Sequence, residues 1–465
     1  MNRKPNILFF FSDQHRGDWM PYDEEVKKAQ GVAGLELHAP NLRAMMDRGT
    51  TFSNAYSPAP VCAPARACLA SGRRYRKCRV YQNNVNYDPA LPSFYGALRK
   101  NGYYVTGTGK FDLNKADLDW GDGFHDVMRR MGFSSAYDSE GKMDAIWAAM
   151  QEKPGPYGKM LEQAGWLEAH KNDMMTRGGR DIPTPLPPEL YADNWIGAKS
   201  KALIGQMPGN QPWFMQINFS GPHDPWDVTV DMKEAVKNRR FPDAADCTIT
   251  EKNQGVRQNY AAMIENIDRI IGECIGELEA RGMLENTLIV YGADHGEMMG
   301  DHDLYGKSKP EQGSIHIPMV IDASHLGGKP GRCYTSPVEL EDLAATFLDY
   351  AGVEPEFQMD AVSLKKAVEG SDEKVRQFAV SELIKNDRNG PITSFGAVTD
   401  GKWKLILQAG QPDRLYDLEN DPFECENVAA RYPEQLERMR EGFTKREGEQ
   451  LNPVIQLYIK SFNAG

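Results

Sequence analysis

Three things are scarce in this chain of 465 residues: paired cysteines, an excess of positive charge and long apolar runs. The cysteines number seven, an odd count scattered without framework spacing, which argues against a disulfide-stapled secreted scaffold and for a reducing compartment. No Cys or His pairs fall close together in the manner of a structural zinc site. With 54 Lys and Arg against 66 Asp and Glu, the formal charge is −12. That excludes a general binder of nucleic acid or anionic membrane, so an anionic small substrate needs a local basic pocket. No segment approaches the roughly 20 apolar residues of a membrane span. The start, MNRKPNILFFFSDQ, is basic, but its apolar run is only Ile7 to Phe11 and no small-residue cleavage site follows. A cytoplasmic location is the expectation, with a periplasmic or secreted one as the alternative for a chain that has lost a signal peptide. Internal repeats and low-complexity tracts are also missing.

What is present reads as an α/β chain. The run NILFFF, residues 6–11, breaks abruptly into Ser12-Asp13-Gln14-His15, as a buried parallel strand does when it delivers polar side chains at its C-terminal end. The same design recurs at Thr287 to Tyr291, which runs into Gly292-Ala293-Asp294-His295, and at Trp213 to Phe219, which leads to Ser220-Gly221-Pro222-His223-Asp224. Ligands of open α/β sheets bind outside the carboxyl ends of strands, so these three ends are expected to share one site. Between Tyr260 and Leu278 apolar residues follow the three-and-four spacing of a covering helix. Ser336-Pro337-Val338-Glu339 carries the signals of a helix start, with Gly352 as the stop.

Two regions differ. Residues 150–190 are rich in Gly, Pro, Met and charge and are expected to be an insertion that shapes a pocket. Beyond Gly370 the texture becomes FAVSEL, TSFGAVTD and KWKLIL, then a helix from Glu434 to Arg446, which predicts antiparallel strands and a small α+β domain. The expected division is a catalytic α/β domain over residues 1–370, with a large mostly parallel central sheet covered by helices on both faces, and an α+β domain on an antiparallel sheet over 371–465. Substrate choice is expected to reside in loops such as 124–190 and 224–258.

The stretch VCAPARACLASGRR, residues 61–74, places Cys62 two positions before Pro64 and four before Arg66. Cys62 and Cys68 are too far apart for a C-x-x-C redox pair. A third possibility, besides redox and zinc, is a cysteine consumed to make a different nucleophile. With PNILFFFSDQ, TGTGK at 106–110, GPHDPW at 221–226, ADHGEMMGDHDLYGK at 293–307, IHIPMVI at 315–321 and LYDLENDPFECENVA at 415–429, the chain resembles a type I sulfatase of the alkaline phosphatase superfamily. These pieces span nearly the whole chain in family order.

The resemblance implies that Cys62, in C-x-P-x-R, is oxidised to formylglycine by a maturation enzyme. One hydroxyl of the hydrated aldehyde attacks sulfur, and the other expels sulfate by regenerating the carbonyl. Arg66 would hold the nucleophile's anionic form, with Arg73 in support. Asp13, Gln14, Asp294 and His295 match the positions that bind one divalent metal, with calcium first and manganese or magnesium as alternatives. Lys110, His223 and Lys307 match positions that contact the sulfate or the bridging oxygen, and His223 or Lys307 would protonate the leaving alkoxide. His302 would line the substrate pocket or stand behind it. The run Lys110-Phe111-Asp112-Leu113 departs from the family, which commonly has His where Asp112 stands. Asp112 could be the base that collapses the sulfated intermediate, bind a substrate group, or pair with Lys110.

Three functions compete on this reading: hydrolysis of a sulfate ester of a carbohydrate or other small alcohol, hydrolysis of a phosphonate monoester or phosphodiester, and catalytically silent binding of an anionic glycan. Trp147, Trp166 and Trp195 read as core, with stacking on a sugar ring as the alternative.

Overall fold

The computed structural model describes residues 4–178, 181–248, 250–386, 392–408 and 410–448, so the last 17 positions of the expected C-terminal domain lie outside the described residues. The apolar run at the N-terminus is the strand Asn6–Asp13, buried along its whole length. It lies between two parallel neighbours, with Ile7 opposite Phe214 of the strand Trp213–Pro222 and opposite Leu288 of the strand Thr287–Ala293. Tyr104–Gly109 extends the parallel set on the far side of Trp213–Pro222. Alternation sends Ile7, Phe9 and Phe11 into one core with Phe214 and Phe347, and Leu8 and Phe10 into another with Met215, Ile289 and Tyr291. A strand covered on both faces has no polar side, which is why its sequence is a continuous apolar run.

The helix Thr250–Ala280 covers one face, burying Tyr260, Met263, Ile264, Ile267, Ile271 and Leu278 completely. Asp342–Tyr350 lies on the other, where Phe347 packs on Phe9 with ring centroids 5.3 Å apart. Among the described residues the sheet has eight strands and is mostly parallel; Met319–Asp322 runs antiparallel to both of its neighbours. This is the architecture expected from the strand and helix patterns.

The helix start expected at Ser336 is not one. Val338 and Glu339 form a short strand parallel to Ala55 and Tyr56, and the helix begins at Asp342. The expected capping residues do not cap this helix: its N-cap, Glu341, makes no side-chain capping bond, and Asp342 Oδ2 accepts the Glu339 amide at 2.8 Å. Long-range pairing with Ala55 and Tyr56 outweighed the local preference.

Strands Ala379–Asn386, Ile392–Thr399, Trp403–Gln408 and Arg414–Asp417 form a separate antiparallel sheet. The helix Pro433–Glu447 packs Met439 and Phe443 on one face of it, against Val398, Leu405 and Leu415. Ala397, Ile406 and Tyr416 on the other face meet Tyr56 and Ile315 of the larger body. The described residues of 150–190, expected to be an insertion that shapes a pocket, include the helices Pro156–Gln163 and Leu167–Arg177 and the 3-10 turn Pro188–Leu190. No described helix is long and apolar enough to cross a membrane.

Candidate active site

Four parallel strands deliver their next residues to one edge of the large sheet: Asp13 and Gln14, Lys110, His223, and Asp294 with His295. Cys62 reaches the same place as the first residue of the buried helix Cys62–Ser71. The first turn of a helix has amides with no partner in the helix and a positive dipole end, which favours an anion there. Asn83 Oδ1 accepts the Ala63 amide at 3.0 Å and fixes this turn. The helix ends at Gly72 with φ of 62°, where a Cβ would stand 2.5 Å from Met359 Sδ, so the glycine is required by conformation and space.

Around Cys62 Sγ stand Lys307 Nζ at 3.0 Å, His295 Nε2 at 3.3 Å, Asp13 Oδ1 at 3.7 Å and Lys110 Nζ at 3.8 Å. Burial and Asp13 push the thiol up, but Lys110, Lys307 and His295 together hold it well below its usual range. The position therefore favours an anion at residue 62. Lys307 Nζ also lies 2.5 Å from His223 Nε2, so these two groups face the nucleophile as a pair.

Arg66, one turn beyond Cys62, braces the carboxylates: Nε donates to Asp294 Oδ2 at 2.9 Å and an Nη to Asp13 Oδ2 at 3.4 Å. Its plane lies over Phe11, with 4.9 Å to the ring centroid. Lys110 Nζ bonds Asp13 Oδ2 and lies 3.0 Å from Asp112 Oδ2. Burial pushes Asp112 up, while Lys110 and Lys115 draw it below the ordinary carboxylate value. Its Oδ1 is buried without a partner.

Ligand atoms of Asp13, Cys62, Asp294 and His295 lie within 4.8 Å of one another. His295 Nδ1 donates to the Gly296 carbonyl at 3.0 Å, which turns Nε2 toward the cluster, where it would serve as a ligand once unprotonated. Gln14, held at φ of 68°, keeps a buried Oε1 with no hydrogen-bond partner. Two carboxylates, one amide oxygen and one imidazole make a mixed O/N set suited to a divalent cation, and the orphaned Oε1 fits that use.

A cavity of about 310 Å³ opens on this cluster, lined by Lys110, Lys307, His223, Asn83 and one face of the helix Lys142–Met150 that presents Met143, Asp144 and Trp147. Hollows of about 420 Å³ beside Arg16 and 540 Å³ beside Lys309 are larger but contain none of the clustered residues. Lys115 bridges Asp112 at 3.3 Å and Asp144 at 2.8 Å in the wall. Lys142 Nζ holds the 221–226 turn through the carbonyls of His223 at 2.9 Å and Pro225 at 2.8 Å.

Thus the structure brings together Asp13, Gln14, Cys62, Arg66, Lys110, Asp112, His223, Asp294, His295 and Lys307. His302 is not among them: its Nε2 lies 2.7 Å from the Phe423 carbonyl and its Nδ1 faces Asp246 at 3.6 Å, which ties it to the C-terminal segment instead of the cavity. Arg73 likewise turns away, to the Gln358 carbonyl at 3.4 Å. Sequence reading missed Asn83, Lys115, Asp144, Asp224 and Glu297. The last two sit inside recognisable motif pieces, GPHDPW and ADHGEMMG, whereas the first three carry no local signal.

With a cysteine at a helix N-terminus beside strand-end carboxylates on this sheet, and with the family models that match it, the chain is a hydrolase of the alkaline phosphatase superfamily. Residues 5–353 match the family described as "Sulfatase" and residues 300–447 match "N-sulphoglucosamine sulphohydrolase, C-terminal". The chain belongs to the sulfatase family, the sulfuric ester hydrolases. It is 29% identical over 459 residues to a choline-sulfatase of Rhizobium meliloti (strain 1021), covering 92% of this chain and 82% of that one. With an arylsulfatase of Clostridium perfringens (strain 13 / Type A) it shares 28% identity over 475 residues, covering 94% and 93%. Its fold resembles that of the phosphonate monoester hydrolase of Agrobacterium radiobacter, with a TM-score of 0.79 at 23% identity over 96% of this chain and 95% of that one.

Proposed function

We propose that this protein hydrolyses the sulfate ester of a small alcohol or single sugar, using a formylglycine made from Cys62 by a maturation enzyme and one divalent cation held by Asp13, Gln14, Asp294 and His295. The observation that carries the reading is the placement of Cys62 Sγ between Lys307, His295 and Lys110, all within 3.8 Å. A cation bound beside it, calcium by first preference and manganese or magnesium otherwise, supplies positive charge for the sulfate oxygens and lowers the pKa of the nucleophilic hydroxyl.

The chain's own groups account for the rest. Water adds across the aldehyde at residue 62 to give a geminal diol. One hydroxyl, its proton released to solvent and its anion held beside Lys110 and Lys307, bonds to sulfur as the sulfur–alkoxide bond breaks, and the leaving oxygen takes a proton from the His223–Lys307 pair, which solvent then reprotonates. The second hydroxyl then loses its proton to Asp112, the carbonyl re-forms, and sulfate leaves with the electrons of its bond to carbon. Lys110 and Lys307 balance charge on the transferred group. Arg66 holds the two aspartates apart and in place.

A cavity of about 310 Å³ is at the small end for ligand sites, which supports a compact leaving group over a long glycan. Phosphonate monoester or phosphodiester hydrolysis remains the second reading, since the resemblance extends to relatives of that activity, which carry Gln and His where Gln14 and His295 stand. The deciding experiment compares aryl sulfate with aryl phosphonate monoester on cation-supplemented protein whose residue-62 peptide carries the aldehyde by mass. Preferential sulfate release supports the proposal, and preferential phosphonate cleavage replaces it. No turnover of either by converted protein revives the binding-only reading.

A further inference from the structure

The side-chain amide of Gln14 has two N–H donors and one acceptor oxygen. Both donors are used: Nε2 lies 3.0 Å from Asp224 Oδ1 and bonds Glu297 Oε2, while the buried Oε1 has no partner. Turning the amide over would set Oε1 against two carboxylates, so its orientation follows from charge.

Glu297 is itself locked. It is fully buried, and its Oε1 accepts the amides of Met299 at 3.0 Å and Gly306 at 2.5 Å, the second of these adjoining Lys307. Asp224 is a looser partner, with its side chain 45% exposed. We propose that Glu297 is a positioning residue for the cation site: it holds the Gln14 amide so that Oε1 stands ready as a ligand, and through Gly306 it ties that ligand to the loop carrying Lys307. This rests on the reading of Asp13, Gln14, Asp294 and His295 as cation ligands. It also explains a glutamine at position 14, because an aspartate there would be a third carboxylate against Asp224 and Glu297.

The test is direct cation binding by full-length, chelator-stripped protein, with Mn²⁺ followed by electron paramagnetic resonance and Ca²⁺ by calorimetry. Glu297→Gln keeps an acceptor oxygen for Met299 and Gly306 but presents N–H to Gln14, which then turns Oε1 away from the cluster. Loss of such an outer partner typically weakens binding by about 10–100-fold, and that is the expected result. Gln14→Ala should weaken binding similarly, and adding Glu297→Gln to it should change little more, because both act through one oxygen. Glu297→Asp, which keeps the charge but withdraws the carboxylate, should also weaken binding and serves if Glu297→Gln folds poorly. Asp294→Asn is the control for the underlying reading. Lost binding in Asp294→Asn with native affinity in both Glu297 variants overturns the positioning role alone, as does full additivity with Gln14→Ala. Native affinity in Asp294→Asn overturns the ligand reading itself.

Discussion

Lys307 Nζ lies 3.0 Å from Cys62 Sγ and at the same time 2.5 Å from His223 Nε2, so one ammonium group links the nucleophile position to the imidazole. A cation shared in this way can serve both the attacking and the departing oxygen. Cys62→Ala is expected to lower kcat/KM by at least ~10⁴-fold, as removing a nucleophile does, and to leave thermal unfolding nearly unchanged, because a small buried side chain becomes another. Retained turnover would sink the nucleophile assignment. Lys307→Ala and His223→Ala should each lower kcat by about 10²–10³-fold on alkyl sulfates and less on aryl sulfates, whose leaving groups need less protonation. The double variant should lose little more than either single one, since the two act as a unit.

Asp112 is pulled below the ordinary carboxylate value by Lys110 and Lys115 against its burial, and is therefore anionic at neutral pH with a free Oδ1. A base at this point acts after the alcohol has gone. Asp112→Asn should give a stoichiometric burst of alcohol followed by a steady rate about 10²-fold lower, read by rapid-mixing with an aryl sulfate. A linear progress curve with raised KM instead assigns Asp112 to holding Lys110.

Two carboxylates, Asp13 and Asp294, face His295 Nε2 at 3.6 Å each, an arrangement that like charges tolerate because Arg66 and Lys110 adjoin them. Chelation should abolish activity, and Ca²⁺ or Mn²⁺ should restore it. Ligand binding to the folded state raises stability by mass action, so 100 Kd of cation should add ~2.7 kcal/mol to the unfolding free energy. Indifference of both activity and unfolding to chelator counts against the assigned set.

Much of this was legible because it is local. Continuous apolar runs such as Ile7 to Phe11 announce strands covered on both faces, and the polar residues that follow them mark the functional edge. Lys115 and Asp144 were not legible, since a Lys–Asp contact across 29 positions leaves no periodic trace. His302 was misplaced for the same reason: its partner, the carbonyl of Phe423, is 121 residues away. The Ser336 helix start failed because a two-residue strand pairing with Ala55 and Tyr56 overrode the local helix-start signal.

Two of the tryptophans raised as stacking candidates separate by environment. Trp195 is 7% exposed against Tyr137 and Tyr157, whereas Trp147 is 45% exposed in the cavity wall. Trp195→Ala should cost ~3–5 kcal/mol of stability. Trp147→Ala should stay within ~0.5 kcal/mol of the parent in urea unfolding while raising KM for aryl sulfates several-fold. An unchanged KM would remove Trp147 from substrate contact.

Glu447 ends the helix Pro433–Glu447 with Oε2 3.5 Å from Arg74, which precedes the short helix Tyr75–Cys78 after the Cys62 motif, and 3.4 Å from Arg76 within it. Burial and the neighbouring Glu382 push its carboxyl up to about 8 in spite of Arg74, Arg446 and Arg76. In the unfolded chain a glutamate titrates near ~4.3. Between those values the folded protein holds a proton that the unfolded chain has released, so stability falls as pH rises through the window. The slope from this one group is at most ~1.4 kcal/mol per pH unit. Glu447→Gln mimics the protonated form, and it should match the parent in urea unfolding at pH 4, below the unfolded value, and exceed it at pH 8. Equal stability of the two proteins at both pH values would mean that Glu447 is ionised in the fold, with Arg74 and Arg76 outweighing burial.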